Sequence, residues 1–321
     1  MRAKPTWFVL LITFSIGSVL GVGPAQAASW TTGARLPAAR VSLAAASDAD
    51  GNVYAIGGFN TVTSTWVDTV YRYDPGANAW TKVAPLPQAL ASAVAVRGLD
   101  GRIYVFGGNT PTETLDSVEA YDPDTNTWSS LAPMPTPRYG AAATLGRDGM
   151  IYVIGGCCGN GPEYDVNEAY DPATNTWTTR APTPAVGIAF APAVTVGHRI
   201  FVLGGAITGD SLSIIQIYNP DRNRWRLDFS FVMPSARQSH GAATDGNGHV
   251  YVFGGFDGDD VFQSSVDVLT VKDKTWTSGP DMPAARARFG TASFKGKINV
   301  LGGYSCFTCT EGRNNYILST P

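Results

Sequence analysis

Four arginines recur at one kind of position. Arg40, Arg138, Arg237 and Arg286 each stand three residues after a proline, namely Pro37, Pro135, Pro234 and Pro283. A guanidinium is planar, permanently charged and rich in donors, so a ring of them would attract carboxylates and sugar acids. The competing use is structural, because a repeated arginine also satisfies buried backbone carbonyls. Tyr139, His240, Arg288 and Phe289 lie beside these arginines, and Glu163 is an acid that could face them. There are three histidines, His198, His240 and His249, and no His-Glu-x-x-His pair, so no metal is expected. A Walker A loop and a Gly-x-Ser-x-Gly elbow are also missing, and no cofactor is implied. The four cysteines fall in two short groups, Cys157-Cys158 and Cys306-x-x-Cys309. Local pairs within each group are the simplest disulfide arrangement in an oxidising compartment, with a zinc site as the rival.

The elements that must carry these residues come from an internal repeat. A Gly-Gly pair begins at Gly57, Gly107, Gly155, Gly204, Gly254 and Gly302, at steps of 50, 48, 49, 50 and 48 residues. Each pair closes an apolar run such as Val53-Tyr54-Ala55-Ile56 or Ile151-Tyr152-Val153-Ile154. Runs this short, rich in β-branched and aromatic residues, predict strands buried on both faces. After five of the pairs comes a second signature. It reads Tyr73-Asp-Pro-x-x-Asn-x-Trp80 in its first copy and ends on Trp128, Trp177, Trp225 and Trp276 in the others. Asp-Pro starts a turn, Asn tolerates a left-handed backbone, and Trp re-enters a strand. Another apolar segment precedes each Gly-Gly strand, which makes four strands per repeat. That is the count of a propeller blade, and the period exceeds that of WD40.

The Gly-Gly, Tyr-Asp-Pro and Trp elements resemble the kelch motif over essentially all of residues 28–321. The resemblance implies an all-β fold: a six-bladed kelch β-propeller with four antiparallel strands per blade. Trp30 has no Gly-Gly before it and the pair at Gly302 has no Trp after it, so the strand around Trp30 is expected to complete the last blade. In such a meander the second-to-third loops and the inter-blade connections share one face. They are the longer and more variable set, and therefore the likelier binding face. The arginines and all four cysteines fall there. Leu90 and Gly187 take the arginine's place in blades two and four, so any ring is asymmetric. Galactose oxidase-like enzymes share the repeat but use a copper site with paired histidine and tyrosine ligands, and only His240 is on this face. The four-strand count also explains Asp48-Ala49-Asp50-Gly51 as a hairpin turn rather than a calcium loop, since Phe59 stands where the loop would need Glu.

Composition sets the remaining expectations. Arg2 and Lys4, the uncharged run 7–22 and Pro24-Ala25-Gln26-Ala27 have the layout of a signal peptide over residues 1–27, leaving 28–321 as the propeller domain. A secreted, periplasmic or extracellular location follows, with no membrane span after cleavage. The run is short for a retained anchor. Net charge is −3, becoming −5 without Arg2 and Lys4, and 15% of residues are charged, which argues against a nucleic-acid partner. The function expected is a monomeric binding module for a protein segment or glycan. The alternative is a mutarotase or epimerase of sialic-acid type, which secreted propellers of this family resemble. Whether the chain is an enzyme stays open.

Overall fold

The computed structural model describes residues 28–321, except 158–160, 185–186, 308 and 310–311. The leader expected over residues 1–27 and the disulfide partner expected at Cys158 lie outside the described residues. Six four-stranded antiparallel sheets form the blades. Their inner strands are Ala44–Ser47, Val94–Arg97, Ala142–Leu145, Ala193–Val196, Gly241–Thr244 and Gly290–Phe294. Their outer strands are Ala79–Val83, Thr127–Ser130, Thr176–Thr179, Arg224–Leu227, Thr275–Ser278 and Ser29–Thr32. Helix is confined, among the described residues, to two 3-10 turns, Pro220–Arg222 and Phe229–Phe231. No helix there is long and apolar enough to cross a membrane.

The Gly-Gly strands are the core, as their composition demands. Val53–Ile56, Ile103–Phe106 and Ile151–Ile154 are buried at every position, clamped between neighbouring blades. The first glycine of a pair then turns the chain against the next connection. Gly155 has φ +65°, and a Cβ there would lie 2.1 Å from the Ile188 carbonyl, so no other residue fits.

The second signature stitches blade to blade. Asn78, Asn126, Asn175 and Asn223 all have positive φ. Each Oδ1 accepts from the tyrosine hydroxyl of its own repeat, as Tyr170 donates to Asn175 at 2.8 Å. Each also accepts a backbone N–H from the preceding connection, such as Ala132 N to Asn175 at 2.9 Å. The tryptophan of the same turn reaches that connection too, Trp177 Nε1 donating to Ala132 O at 3.0 Å. One short motif therefore fixes both a hairpin and an inter-blade seam.

Closure follows the expected register. Ser29–Thr32 pairs antiparallel with Asn315–Ser319, Trp30 facing Leu318, and Trp30 Nε1 donates to Pro280 O at 2.7 Å. The Asp48 turn is the plain hairpin expected, its carboxylate accepting from the Asp50 and Asn52 amides and from the Tyr54 hydroxyl. Two features lie beyond the repeat. The second-to-third loops of blades one and four carry their own small hairpins, Phe59–Asn60 with Thr65–Trp66 and Ala206–Ile207 with Asp210–Ser211.

Candidate functional site

The six inner strands surround a central cavity of about 220 Å³. Its wall is largely alanine, because six strands converging on one axis leave no room for larger side chains. At the loop-face end the wall is closed by a ring of backbone hydrogen bonds. Ser42 N donates to Arg288 O, Arg288 N to Ser239 O, Ser239 N to Phe190 O, Phe190 N to Gly140 O, Gly140 N to Ser92 O, and Ser92 N to Ser42 O, all at 2.7–3.0 Å. All six residues have φ between 52° and 61°. This left-handed turn, one per blade, lets each inter-blade connection hand its amide to the previous one.

Glycine, at Gly140, accepts that backbone freely. Phe190 and Arg288, like the three serines, carry a Cβ, and a non-glycine residue held there costs about 1–3 kcal/mol. These two strained residues touch each other, the Arg288 guanidinium lying 5.6 Å from the Phe190 ring and 6.0 Å from that of Tyr304. Arg288 is half-buried, and no carboxylate pairs with it among the described residues. Three residues of the cavity wall carry buried polar atoms with no protein hydrogen bond: Ser239 Oγ, both His240 ring nitrogens and Arg288 Nε. Burial and the nearby Arg237 charge hold the His240 imidazole down at about 3. The ring is therefore neutral at physiological pH.

The four repeated arginines are placed elsewhere. Arg40, Arg138, Arg237 and Arg286 are each at most 2% exposed. Each donates to the carbonyl of the first glycine in its own blade's pair: Gly57, Gly155, Gly254 and Gly302. The other end of each guanidinium faces the third strand of the same blade, while the Nε of Arg40, Arg138 and Arg286 has no hydrogen-bond partner among the described residues and that of Arg237 donates to Ser235 Oγ. Arg40 bonds Thr69 and lies 4.7 Å from the Tyr71 ring, Arg138 pairs with Glu168, Arg237 with Asp267, and Arg286 lies 5.1 Å from the Tyr316 ring. Burial lowers the pKa of Arg40 to about 10 and that of Arg138 and Arg237 in the same direction. Such arginines brace the connection entering a blade against its second and third strands.

Tyr139, Arg288, His240 and Phe289 do gather around the cavity end. Tyr139 stands 6.2 Å from Phe190, and Phe289 stacks on Phe253 at 5.9 Å. Glu163 is not brought to Arg288 as a partner, since its Oε1 accepts from Thr208 N at 3.1 Å. Cys306 and Cys309 are joined in a disulfide, and Cys157 is buried against Tyr139 through a two-way backbone bridge. The disulfide loop presents Phe307, 56% exposed, onto Phe256, Phe262 and Tyr304 at 5.1–5.7 Å. His198 and His249 sit in first-to-second hairpins beside Asp221 and Asp245, on the opposite face. Phe190, Tyr304, Ser42, Ser92 and Ser239 were not among the sequence candidates. For Phe190 and the three serines the one sequence signal is position, just ahead of an inner strand, whereas Tyr304 directly follows the Gly302-Gly303 pair.

Comparison with known proteins bears on this geometry. The profile of the KLHDC2/KLHL20/DRC7 kelch-repeats domain matches residues 24–192, and the kelch motif matches 188–227 and 236–283. The chain belongs to the kelch-repeat family. This kelch propeller is 37% identical over 93 residues to beta-scruin of Limulus polyphemus, a match to 27% of the chain that spans a tenth of that relative's length. The solved structure of YjhT superposes with a TM-score of 0.76 at 18% identity, covering 89% of this chain and 96% of that one. The likeness extends to the propeller scaffold.

Proposed function

We propose that this kelch propeller is a secreted or envelope binding module whose loop-face mouth takes a carboxylate carried by a protein segment or a glycan. The observation that carries the reading is Arg288. Its guanidinium lies at the cavity end without a carboxylate partner among the described residues, on a backbone strained into the left-handed region, between Phe190 and Tyr304. Strain of this kind persists where the surrounding structure enforces it, and functional sites are where it collects. Ser239 and His240 add polar atoms that lack protein hydrogen bonds at the same cavity wall. A mutarotase would need an acid or base beside the guanidinium; of the two sequence candidates Glu163 is engaged with Thr208 and Glu311 lies outside the described residues, so the binding reading comes first. The secretion half of the proposal rests on the leader-like residues 1–27.

The test is a glycan and peptide array probed with the protein and with Arg288→Gly. Glycine suits the φ of 52° at this position, so the variant should keep its stability within about 1 kcal/mol. Binding to acidic array members is expected to fall at least tenfold. Retained binding by a folded Arg288→Gly protein would refute the assignment.

A further inference from the structure

The outer strand of blade four differs from the other five in charge. Arg224 and Arg226 flank its tryptophan, where every other blade has alanine, serine or threonine, for instance Thr176 and Thr178 in blade three. Strand register fixes the equivalence, Tyr218 facing Trp225 as Tyr170 faces Trp177. In the preceding turn Arg222 stands where blade three has Thr174, and Asn219 replaces the turn-opening Asp171. Within one turn and strand, blade four gains three guanidiniums with no net change in carboxylates, since Asp221 stands where blade three has Ala173, in a chain of net charge −3.

The fold brings a fourth arginine to the same place. Arg199, at the start of the second strand Arg199–Leu203, joins Arg222, Arg224 and Arg226 around a groove of about 280 Å³, whose lining includes Ile217 and Asn219. Arg224 pairs with Asn219 and Arg226 with Ile217, so the two side chains leave the same face of the sheet. All four arginines are exposed. Opposing charge is sparse. Asp228 meets Arg226 at 3.0 Å but is shared with Lys274, also at 3.0 Å, and Asp221 lies 3.6 Å from His198. Among the described residues Arg199, Arg222 and Arg224 have no carboxylate partner.

We infer that this groove is a second binding site, on the face away from the cavity mouth, for a small molecule or chain end bearing two or three clustered phosphate or sulfate groups. Guanidiniums grip such oxyanions with paired N–H donors, and several around one groove hold more than one at a time. The groove's volume suits a short polyanion rather than a long one. The site is independent of the carboxylate reading above.

The experiment titrates the full chain calorimetrically at low salt with tripolyphosphate and, separately, with sucrose octasulfate, which tells a phosphate source from a sulfate one. The variant is Arg222→Thr with Arg224→Thr and Arg226→Thr, the residues that blade three carries at these positions and tolerates in its fold. The control, Lys82→Thr with Arg147→Thr and Lys297→Thr, removes equal charge from exposed positions elsewhere. At least one probe should bind the native protein and the control alike, and lose at least tenfold in affinity in the blade-four variant. Failure of both probes to bind overturns the inference. So does an equal loss in the control, which would make the effect one of net charge, and so does unchanged binding by the blade-four variant.

Discussion

Deleting residues 28–36 is expected to lower the melting temperature by well over 10 °C, or to abolish cooperative unfolding. The segment supplies a whole outer strand and two seams. Trp30 faces Leu318 in the last blade and donates to Pro280 O in blade five's outgoing connection. Leu36 is fully buried, and its N–H and C=O meet Arg313 O at 2.8 Å and Arg313 Nε at 2.7 Å. Ala34 accepts from Trp80 Nε1 at 2.8 Å, tying blade one to the same stretch. Burying Leu36 is worth about 1.5–3 kcal/mol, the half-buried Trp30 adds less than its full burial would, and the lost hydrogen bonds add about 1 kcal/mol apiece. The sum approaches the whole stability of an ordinary domain. Deletion also opens the third strand, Asn315–Ser319, as an edge ready to pair with another chain, so aggregation should accompany the loss. Differential scanning calorimetry checks this. An unchanged melting temperature would mean that the ring is not held shut by its first strand.

The second large effect is expected at the braces. Arg138→Leu should destabilise the protein by about 3–5 kcal/mol, on the order of 10 °C in melting temperature, because it strands a buried carboxylate. Glu168 is 2% exposed and would keep only the Thr136 hydroxyl, which donates to it at 2.9 Å. The repeat itself supplies the control. Blade four lacks the arginine and has the neutral Gln216 in the place of Glu168, and blade two, with Leu90 in the arginine's place, keeps Glu119 there only half-buried, on the Ser130 hydroxyl. Arg138→Leu combined with Glu168→Gln should therefore lose clearly less than Arg138→Leu alone. Equal losses in chemical denaturation would show that the charge pair is not what the arginine serves.

These braces show how far sequence carries toward fold and where it stops. The Gly-Gly strands, the Tyr-Asp-Pro turns and the closing role of Trp30 were all legible, because each follows from local backbone chemistry repeated at one period. The arginines were legible as a series but ambiguous in use. A guanidinium three residues after proline can point into a mouth or back into its own blade, and only the packed structure shows the Gly57 and Gly155 carbonyls waiting beneath. The cavity end was less legible still. Phe190 and Arg288 matter through a left-handed backbone, and that conformation is imposed by the closed ring of amides among six connections about fifty residues apart. No single repeat signals it, and serine at Ser42, Ser92 and Ser239 looks like ordinary loop composition. The disulfide between Cys306 and Cys309 was readable from spacing, whereas the stacking of Phe307 on Phe262 and Tyr304 depends on two loops from different blades. The basic groove of blade four stood out only once strand register aligned it with its five counterparts.

The central claim is that the ligand sits at the loop-face end of the channel, held by Arg288 between Phe190 and Tyr304, and that the four repeated arginines are structural. A crystal structure of the protein with an acidic array hit tests it most directly. Density for the ligand's carboxylate within hydrogen-bond reach of the Arg288 guanidinium, with Arg40, Arg138, Arg237 and Arg286 still on their glycine carbonyls, is the expected result. Ligand density on the opposite face, or a carboxylate held by any of those four arginines, would contradict it.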